Sequence, residues 1–421
     1  ITKCETPLML FVKQNINKFT IEQQNNILKS GRPNLDTSIV SPSGFFRIHF
    51  DKTGDNIPSY NIDELATALD SVYNFEVLYL GYNPPPSDLG LGGDDCYDIY
   101  IMNLGSTYGY TEPGNLIGAS KYTSHIVLDN KYNIHHTKGI QGARVTAAHE
   151  FHHAIQMGGY IMRSEDTFFY EFTSTSMEEF MYPGINDYYN YLDDFFNQPG
   201  YRINYDYYAY ALGIFNIFLK ERFGYNVIKR AWELMPNNRA LKAIALAISE
   251  YGSSFGYELN QFGIWTFYTG YRADTEKYFK DGDKYPLLKY LTSVTYTPPL
   301  KSIMLNVQPA SNNYIRFIVN TDTLCSVITN MSLNDAIDYN NTNYQAEYSL
   351  QSTGEEPNKI GDNLYYSLSS SFSNYFKVAN VSADSAIYNK QNGSNKFVYP
   401  NPFNYSMQAN GTLLHFPVIF K

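Results

Sequence analysis

The sequence predicts an α+β protein: a domain built from a mixed sheet and a helical subdomain, followed by an antiparallel β-sandwich. Three patterns carry this. Residues 44–130 hold short apolar runs between Gly, Asp and Pro turns, and residues 139–291 hold apolar positions at helical spacing between Gly and Pro stops. Residues 300–390 hold short alternating runs separated by Asn, Ser, Asp and Gly. The expected organisation is a lead-in over residues 1–43, a first domain over 44–296, a β-sandwich over 297–392 and a short tail over 393–421.

In order along the chain, Ile21–Leu28 reads as a short helix stopped by Gly31-Arg32-Pro33. Phe45–Phe50 alternates as a strand that ends at Asp51 and turns through Gly54-Asp55. Ile62–Leu78 places Leu65, Leu69, Val72 and Phe75 at helical spacing after an acidic start, and Asn83-Pro84-Pro85-Pro86 stops it. Gly90–Asp95 is a loop, and Tyr97–Leu104 and Ser124–Leu128 are strands. Gly139–Met157 is a helix closed by Gly158-Gly159, and Phe168–Met181 is a second, stopped by Pro183-Gly184. Further helices are expected at Tyr207–Phe223, Asn226–Leu234, Arg239–Tyr251 and Gln261–Tyr271. Thr297-Pro298-Pro299 reads as a linker, and strands are expected at Ser302–Val307, Tyr314–Val319, Tyr344–Leu350, Tyr365–Ser371 and Phe376–Val381.

Composition narrows the function. The chain has 421 residues and a formal net charge of −10, with no basic block to meet phosphates, which argues against a nucleic-acid partner. No apolar run is long enough to span a bilayer. A chain that opens on Ile1 rather than Met is expected to be a processed or truncated product. Tyr is unusually abundant: 40 Tyr and 27 Phe bring aromatics to 16% while charged residues reach only 17%, a surface chemistry that suits a secreted protein, an interaction surface or a sugar-binding surface and does not choose among them. Three cysteines make no disulfide framework.

The residues that carry chemistry are His149-Glu150-Phe151-His152-His153, an HExxH. Two histidines four apart share a helix face and can reach one ion, zinc above all, while Glu150 beside them can take a proton from water and return it to a leaving group. From this chain's own residue frequencies the motif arises by chance with a probability on the order of 1%. Its flanks, Val145-Thr146-Ala147-Ala148 and Ala154-Ile155, are uncharged, as a buried metal helix requires. A helix with solvent-facing histidines is the bland alternative. His152 reads as a packing or supporting residue and His135-His136 as loop residues. The third ligand is expected on the next helix, as Glu171 or, at i+7 on nearly the same face, Glu178, with small residues between them that let the helix approach closely.

HExxH followed by Glu on the next helix resembles the gluzincin zinc peptidases, which implies a zincin-like catalytic domain with a two-His, one-Glu ligand set. Tyr210-Ala211-Leu212-Gly213 before an apolar helix resembles the YxxG element of gluzincin aminopeptidases and implies that Tyr210 hydrogen-bonds the oxyanion. Residues 4–290 also resemble a family of uncharacterised secreted bacterial metalloproteases. The likeness is carried by Cys4-Glu5-Thr6-Pro7, Gly44–Phe50, Tyr108-Gly109-Tyr110-Thr111, Val127–Asn130, Thr146–Gln156 and Met177-Glu178-Glu179. Where that family has small residues after the ligand Glu this chain has Phe172-Thr173-Ser174, and Phe172 is expected to narrow the cleft. Val398-Tyr399-Pro400-Asn401-Pro402-Phe403 resembles the opening of a type IX secretion sorting domain, which implies export, surface attachment through the tail and a continuation beyond Lys421.

The expected activity is therefore a secreted zinc endopeptidase with His149, His153 and Glu171 as ligands, Glu150 as general base and Tyr210 as oxyanion donor, acting on a protein or peptide. Extended substrate is expected to pair along Ser124–Leu128 or Tyr97–Leu104. The rival reading is an inactive surface adhesion or glycan-binding protein, motivated by the Tyr content and the β-rich back. Gly92-Gly93-Asp94-Asp95 with Asp98 is read either as a calcium (Ca2+) loop or as a solvated acidic turn. For Cys4 two readings stand: a disulfide with Cys96, or a thiolate that caps zinc in a latent form.

Overall fold

The computed structural model describes residues 2–24, 32–118, 120–295, 308, 310–318, 323–329, 346–353, 360–370 and 376–382. It is a mixed α+β structure with a mixed sheet, and its chain forms two compact units: residues 1–195 with 203–252, and residues 196–202 with 253–421.

The first unit contains β1 (Thr2–Cys4), α1 (Thr6–Gln14), β2 (Thr37–Val40), β3 (Phe46–Phe50), α2 (Ile62–Tyr73), β4 (Tyr97–Met102), β5 (Thr107–Leu116), β6 (Tyr122–Asp129) and α3 (Gly139–Ile155). Helices α4 (Thr167–Met181), α5 (Gly213–Phe223), α6 (Asn226–Leu234) and α7 (Ala240–Glu250) follow. Its six strands lie in the order β1-β5-β6-β4-β3-β2. Strands β3, β4 and β6 run parallel to one another, while β5 is antiparallel to β6 and β2 to β3. The short β1 then adds in parallel to the outer edge of β5, with Cys4 opposite Gly109.

The buried strands read as near-continuous apolar runs because α3 and α2 cover the sheet. Ile99, Ile101, Ile126, Val127 and Leu128 are fully buried. Asn61 caps α2 by accepting from the Glu64 amide at 3.0 Å, and Asp63 and Glu64 complement the helix start. Phe151 of α3 fixes that helix to the sheet through edge contacts with Phe46 and Tyr97, at centroid distances of 5.3 and 6.0 Å. Gly109 lets β5 approach α3: a Cβ there would lie 2.8 Å from Thr146 Cγ2 and 2.9 Å from the Val127 carbonyl oxygen. Helix α4 is held from behind by Trp232 of α6. Its ring stacks on Phe169 and Tyr170, and its Nε1 donates to Thr173 Oγ1 at 3.1 Å.

Several expectations shift by a turn. The helix expected over Ile62–Leu78 and the one over Gly139–Met157 both end in a wider turn, at Asn74–Tyr79 and Gln156–Tyr160. The helix expected from Tyr207 begins at Gly213, and the one expected from Gln261 begins at Phe255, where Ser254 accepts from the Tyr257 amide. Residues 21–24 are helical; residues 25–31 lie outside the described part.

The second unit contains α8 (Phe255–Phe267), β7 (Thr292–Thr295), β8 (Ile315–Ile318), β9 (Thr323–Thr329), β10 (Ala346–Thr353), β11 (Ile360–Ser370) and β12 (Phe376–Ser382). Its described strands form three pairs. β10–β11 and β9–β12 are antiparallel as expected, but β7–β8 is parallel, so the strands behind the helices are not uniformly antiparallel. The linker at 297–299, the strand expected at Ser302–Val307 and the tail over 393–421 lie outside the described residues. Among the described residues no helix is long and apolar enough to cross a membrane.

Candidate metal centre

Helix α3 presents the motif inward. His149, Glu150, His152 and His153 are all fully buried, so the solvent-facing alternative does not hold. His149 Nε2 and His153 Nε2 lie 3.2 Å apart. Glu171 on α4 reaches both: its Oε2 is 3.2 Å from His149 Nε2 and its Oε1 is 3.3 Å from His153 Nε2. Donors held tetrahedrally at 2.0–2.1 Å from one ion sit about 3.3–3.4 Å apart, so this spacing fits a shared metal. Cys4 completes the group: one donor atom from each of Cys4, His149, His153 and Glu171 all lie within 4.8 Å of one another. The buried cluster can hold a metal ion.

Each of the two imidazoles has a second partner that orients it. His149 Nδ1 meets Glu178 Oε1 at 2.7 Å, and His153 Nδ1 meets Gln156 Oε1 at 2.8 Å, with Ser174 Oγ at 3.2 Å. Gln156 in turn donates Nε2 to the Tyr170 carbonyl at 3.0 Å. Of the two candidate third ligands, Glu171 therefore faces the histidine Nε2 atoms, while Glu178 stands behind His149. Burial pushes the His149 imidazole pKa down, but the hydrogen bonds to Glu171 and Glu178 outweigh it and raise the value to about 10 in the metal-free protein. Glu171 is destabilised as an anion by burial, yet His153 and His149 pull it down to about 2. An ionised Glu171 is the form a cation requires.

Glu150 lies beside the cluster with Oε2 accepting from Thr111 Oγ1 at 2.9 Å and from Thr6 Oγ1 at 3.1 Å. Its Oε1 is buried with no hydrogen-bond partner in the protein, an acceptor left available to a water or a substrate proton. Tyr210, in the turn before α5, lies with its ring centroid 6.2 Å from that of His149 and donates its hydroxyl to the Cys4 carbonyl at 3.3 Å. Burial first, then the charges of Glu171 and Cys4, raise the phenol well above its usual range, so it stays a donor.

Lys3 sits behind Glu178. Its Nζ donates to Glu178 Oε2 at 2.8 Å and Asp187 Oδ2 at 2.6 Å and lies 4.5 Å from the Tyr108 ring centre. Lys3, Thr6, Thr111, Gln156 and Asp187 were not among the expected site residues. No strand was expected where β5 brings Thr111 to Glu150, because Gly109, Pro113 and Gly114 interrupt its pattern.

Other expectations need correction. The Cys4–Cys96 disulfide is absent: both thiols are free, Cys4 in the cluster and Cys96 donating to the Gly44 carbonyl at 3.3 Å. The strands expected to pair with substrate, β6 and β4, lie inside the sheet with both edges taken, and the strand beside the motif is β5. Phe172 is buried against Phe168. In the acidic loop Asp94 pairs with Arg47, and Asp98 with Arg32 and His49, so arginines meet the carboxylates offered for calcium. The readings of two other histidines agree with the structure: His152 turns away from the cluster to Glu76 at 2.7 Å, and His135 lies in a loop and packs on Tyr108.

Compared with known proteins, the chain matches no family model and no curated protein.

Proposed function

We propose that the protein is a zinc-dependent peptidase with a zincin-like catalytic domain, acting outside the cell. One observation supports this above the others: His149 Nε2, His153 Nε2 and both Glu171 oxygens converge at metal-donor spacing, with the Glu150 Oε1 atom unpartnered beside them. Two imidazoles and a carboxylate are the donor set of a catalytic zinc with an open position. Bound there, zinc would polarise the scissile carbonyl and acidify water.

The remaining steps fall to the chain's own residues. Glu150 takes the proton of the attacking water on Oε1 and hands it to the departing amine nitrogen. Thr111 holds the other carboxylate oxygen, which fixes the orientation of Glu150. Tyr210 donates to the carbonyl oxygen as negative charge grows there. Glu178 and Gln156 keep the two imidazoles turned with Nε2 toward the cluster. The test is hydrolysis of an unstructured protein such as casein by the zinc-loaded protein, with Glu150→Gln and a chelator as controls. Hydrolysis that survives both refutes the assignment.

The export assignment rests on the Tyr-rich, low-charge composition and on Val398–Phe403. Detection of the protein in culture medium, lost when residues 393–421 are deleted, would support it.

A further inference from the structure

Residues 2–6 reach the donor cluster, Glu150, Glu178 and Tyr210. β1 extends the sheet along the β5 edge, with the Thr2 amide donating to the Ser106 carbonyl at 2.9 Å and the Glu5 amide to the Gly109 carbonyl at 3.3 Å. Cys4 Sγ joins the metal donors. The Cys4 carbonyl accepts from Tyr210, as a scissile carbonyl would, and Thr6 Oγ1 donates to the general base Glu150. The Lys3 ammonium is buried between Glu178 and Asp187. A tether whose only task was to anchor the chain would have no reason to contact ligand set, base and phenol together. A peptide lying in the active site must do so.

We propose that Thr2–Thr6 occupies the peptide-binding track in place of substrate, with the Cys4 thiolate as fourth donor to the metal, and that the Glu178–Asp187 pocket around Lys3 receives a substrate's lysine or arginine side chain once the segment has left. This deepens the peptidase reading and rests on it. The second half follows from charge. Two buried carboxylates, walled by Tyr108 and Tyr191, share the Lys3 ammonium; without it Glu178 keeps only His149 Nδ1 and Asp187 keeps only the neutral hydroxyls of Tyr108 and Thr137. A peptide that supplies a cation there restores the balance, and one that supplies a neutral side chain does not. Release needs no oxidant: the sulfur–metal bond breaks and the thiolate takes a proton from water.

Cobalt(II) loaded in place of zinc reports the thiolate through its near-ultraviolet sulfur-to-metal charge-transfer absorption. The full chain should show this band, and Cys4→Ser should lose it while still binding cobalt. The Lys3→Met/Cys4→Ser variant should gain about tenfold or more in kcat/KM on peptides and favour Lys or Arg over Gln at one fixed position by about tenfold or more. With Glu150→Gln added, the same preference should appear in peptide affinity measured by fluorescence anisotropy. If the double variant does not fold, Cys4→Ser alone gives both readings with smaller amplitude. Cobalt bound without the sulfur band, or equal treatment of Lys and Gln peptides by a metal-loaded active variant, overturns the inference while leaving the peptidase reading intact. A chain that binds no metal at all overturns both.

Discussion

Glu178 places Oε1 2.7 Å from His149 Nδ1 while the donor atom on the far side of the same imidazole, Nε2, faces His153 and Glu171. The carboxylate thus fixes the ring's rotation and makes it a stronger donor. Glu178→Gln keeps the shape and removes the charge. It should weaken metal affinity by about 10–100-fold, read by competition with a chromogenic chelator. Unchanged affinity would reduce Glu178 to a partner of Lys3.

In the proposed mechanism Tyr210 acts in the transition state more than in the ground state. Tyr210→Phe should lower kcat by about 10²–10³-fold with KM little changed, because only the hydroxyl is lost. A loss confined to KM would make Tyr210 a substrate-positioning group.

His49 gives a pH dependence away from the metal. Burial, then the positive charges of Arg47 and Arg32, lower its pKa to about 4, against about 6.5 in the unfolded chain. A depressed histidine contributes stability that is present above the unfolded value and lost as pH falls toward the folded one. Urea midpoints should therefore drop between about pH 6.5 and pH 4 more in the native protein than in His49→Gln. The difference should be up to about 1 kcal/mol, since the ring is only partly buried and solvent screens the rest.

Gly109 tests the packing that sets β5 on α3. Gly109→Ala puts a Cβ 2.8 Å from Thr146 Cγ2, and the backbone oxygen of Val127 cannot move away cheaply. The substitution should destabilise the protein by roughly 1–3 kcal/mol and, by shifting Thr111 against Glu150, lower activity in the folded fraction. A thermal melt and kcat measured below it read the two effects separately.

The HExxH helix was legible because its chemistry and its environment agree: the uncharged flanks Val145–Ala148 and Ala154-Ile155 favour burial, and the helix is buried there. Helix spacing pointed to Glu171 or Glu178 without separating them, because the two share nearly one face; the approach of Glu171 to both histidine Nε2 atoms is a matter of packing. Of segment 2–6 only Cys4 was singled out, as one of two readings; the contacts of Lys3 and Thr6 were not legible, since their partners are distant in sequence: Lys3 meets Glu178 across 175 positions, and no local pattern records that. Strand β5 was hidden for a different reason. Gly109, Pro113 and Gly114 are poor strand formers, and what holds them in the sheet is the neighbour each must admit: Thr146 close against Gly109, Thr123 against Gly114. The parallel pairing of β7 with β8 is likewise a property of chain path, which alternation cannot reveal.

The most direct measurement pairs zinc content with peptide hydrolysis in Glu150→Gln, made both in the native chain and in the Cys4→Ser background. The account predicts about one zinc per chain in all four proteins, and hydrolysis that falls by about 10²–10⁴-fold wherever Glu150 is replaced. Zinc-free protein, or hydrolysis undiminished by Glu150→Gln, would contradict it.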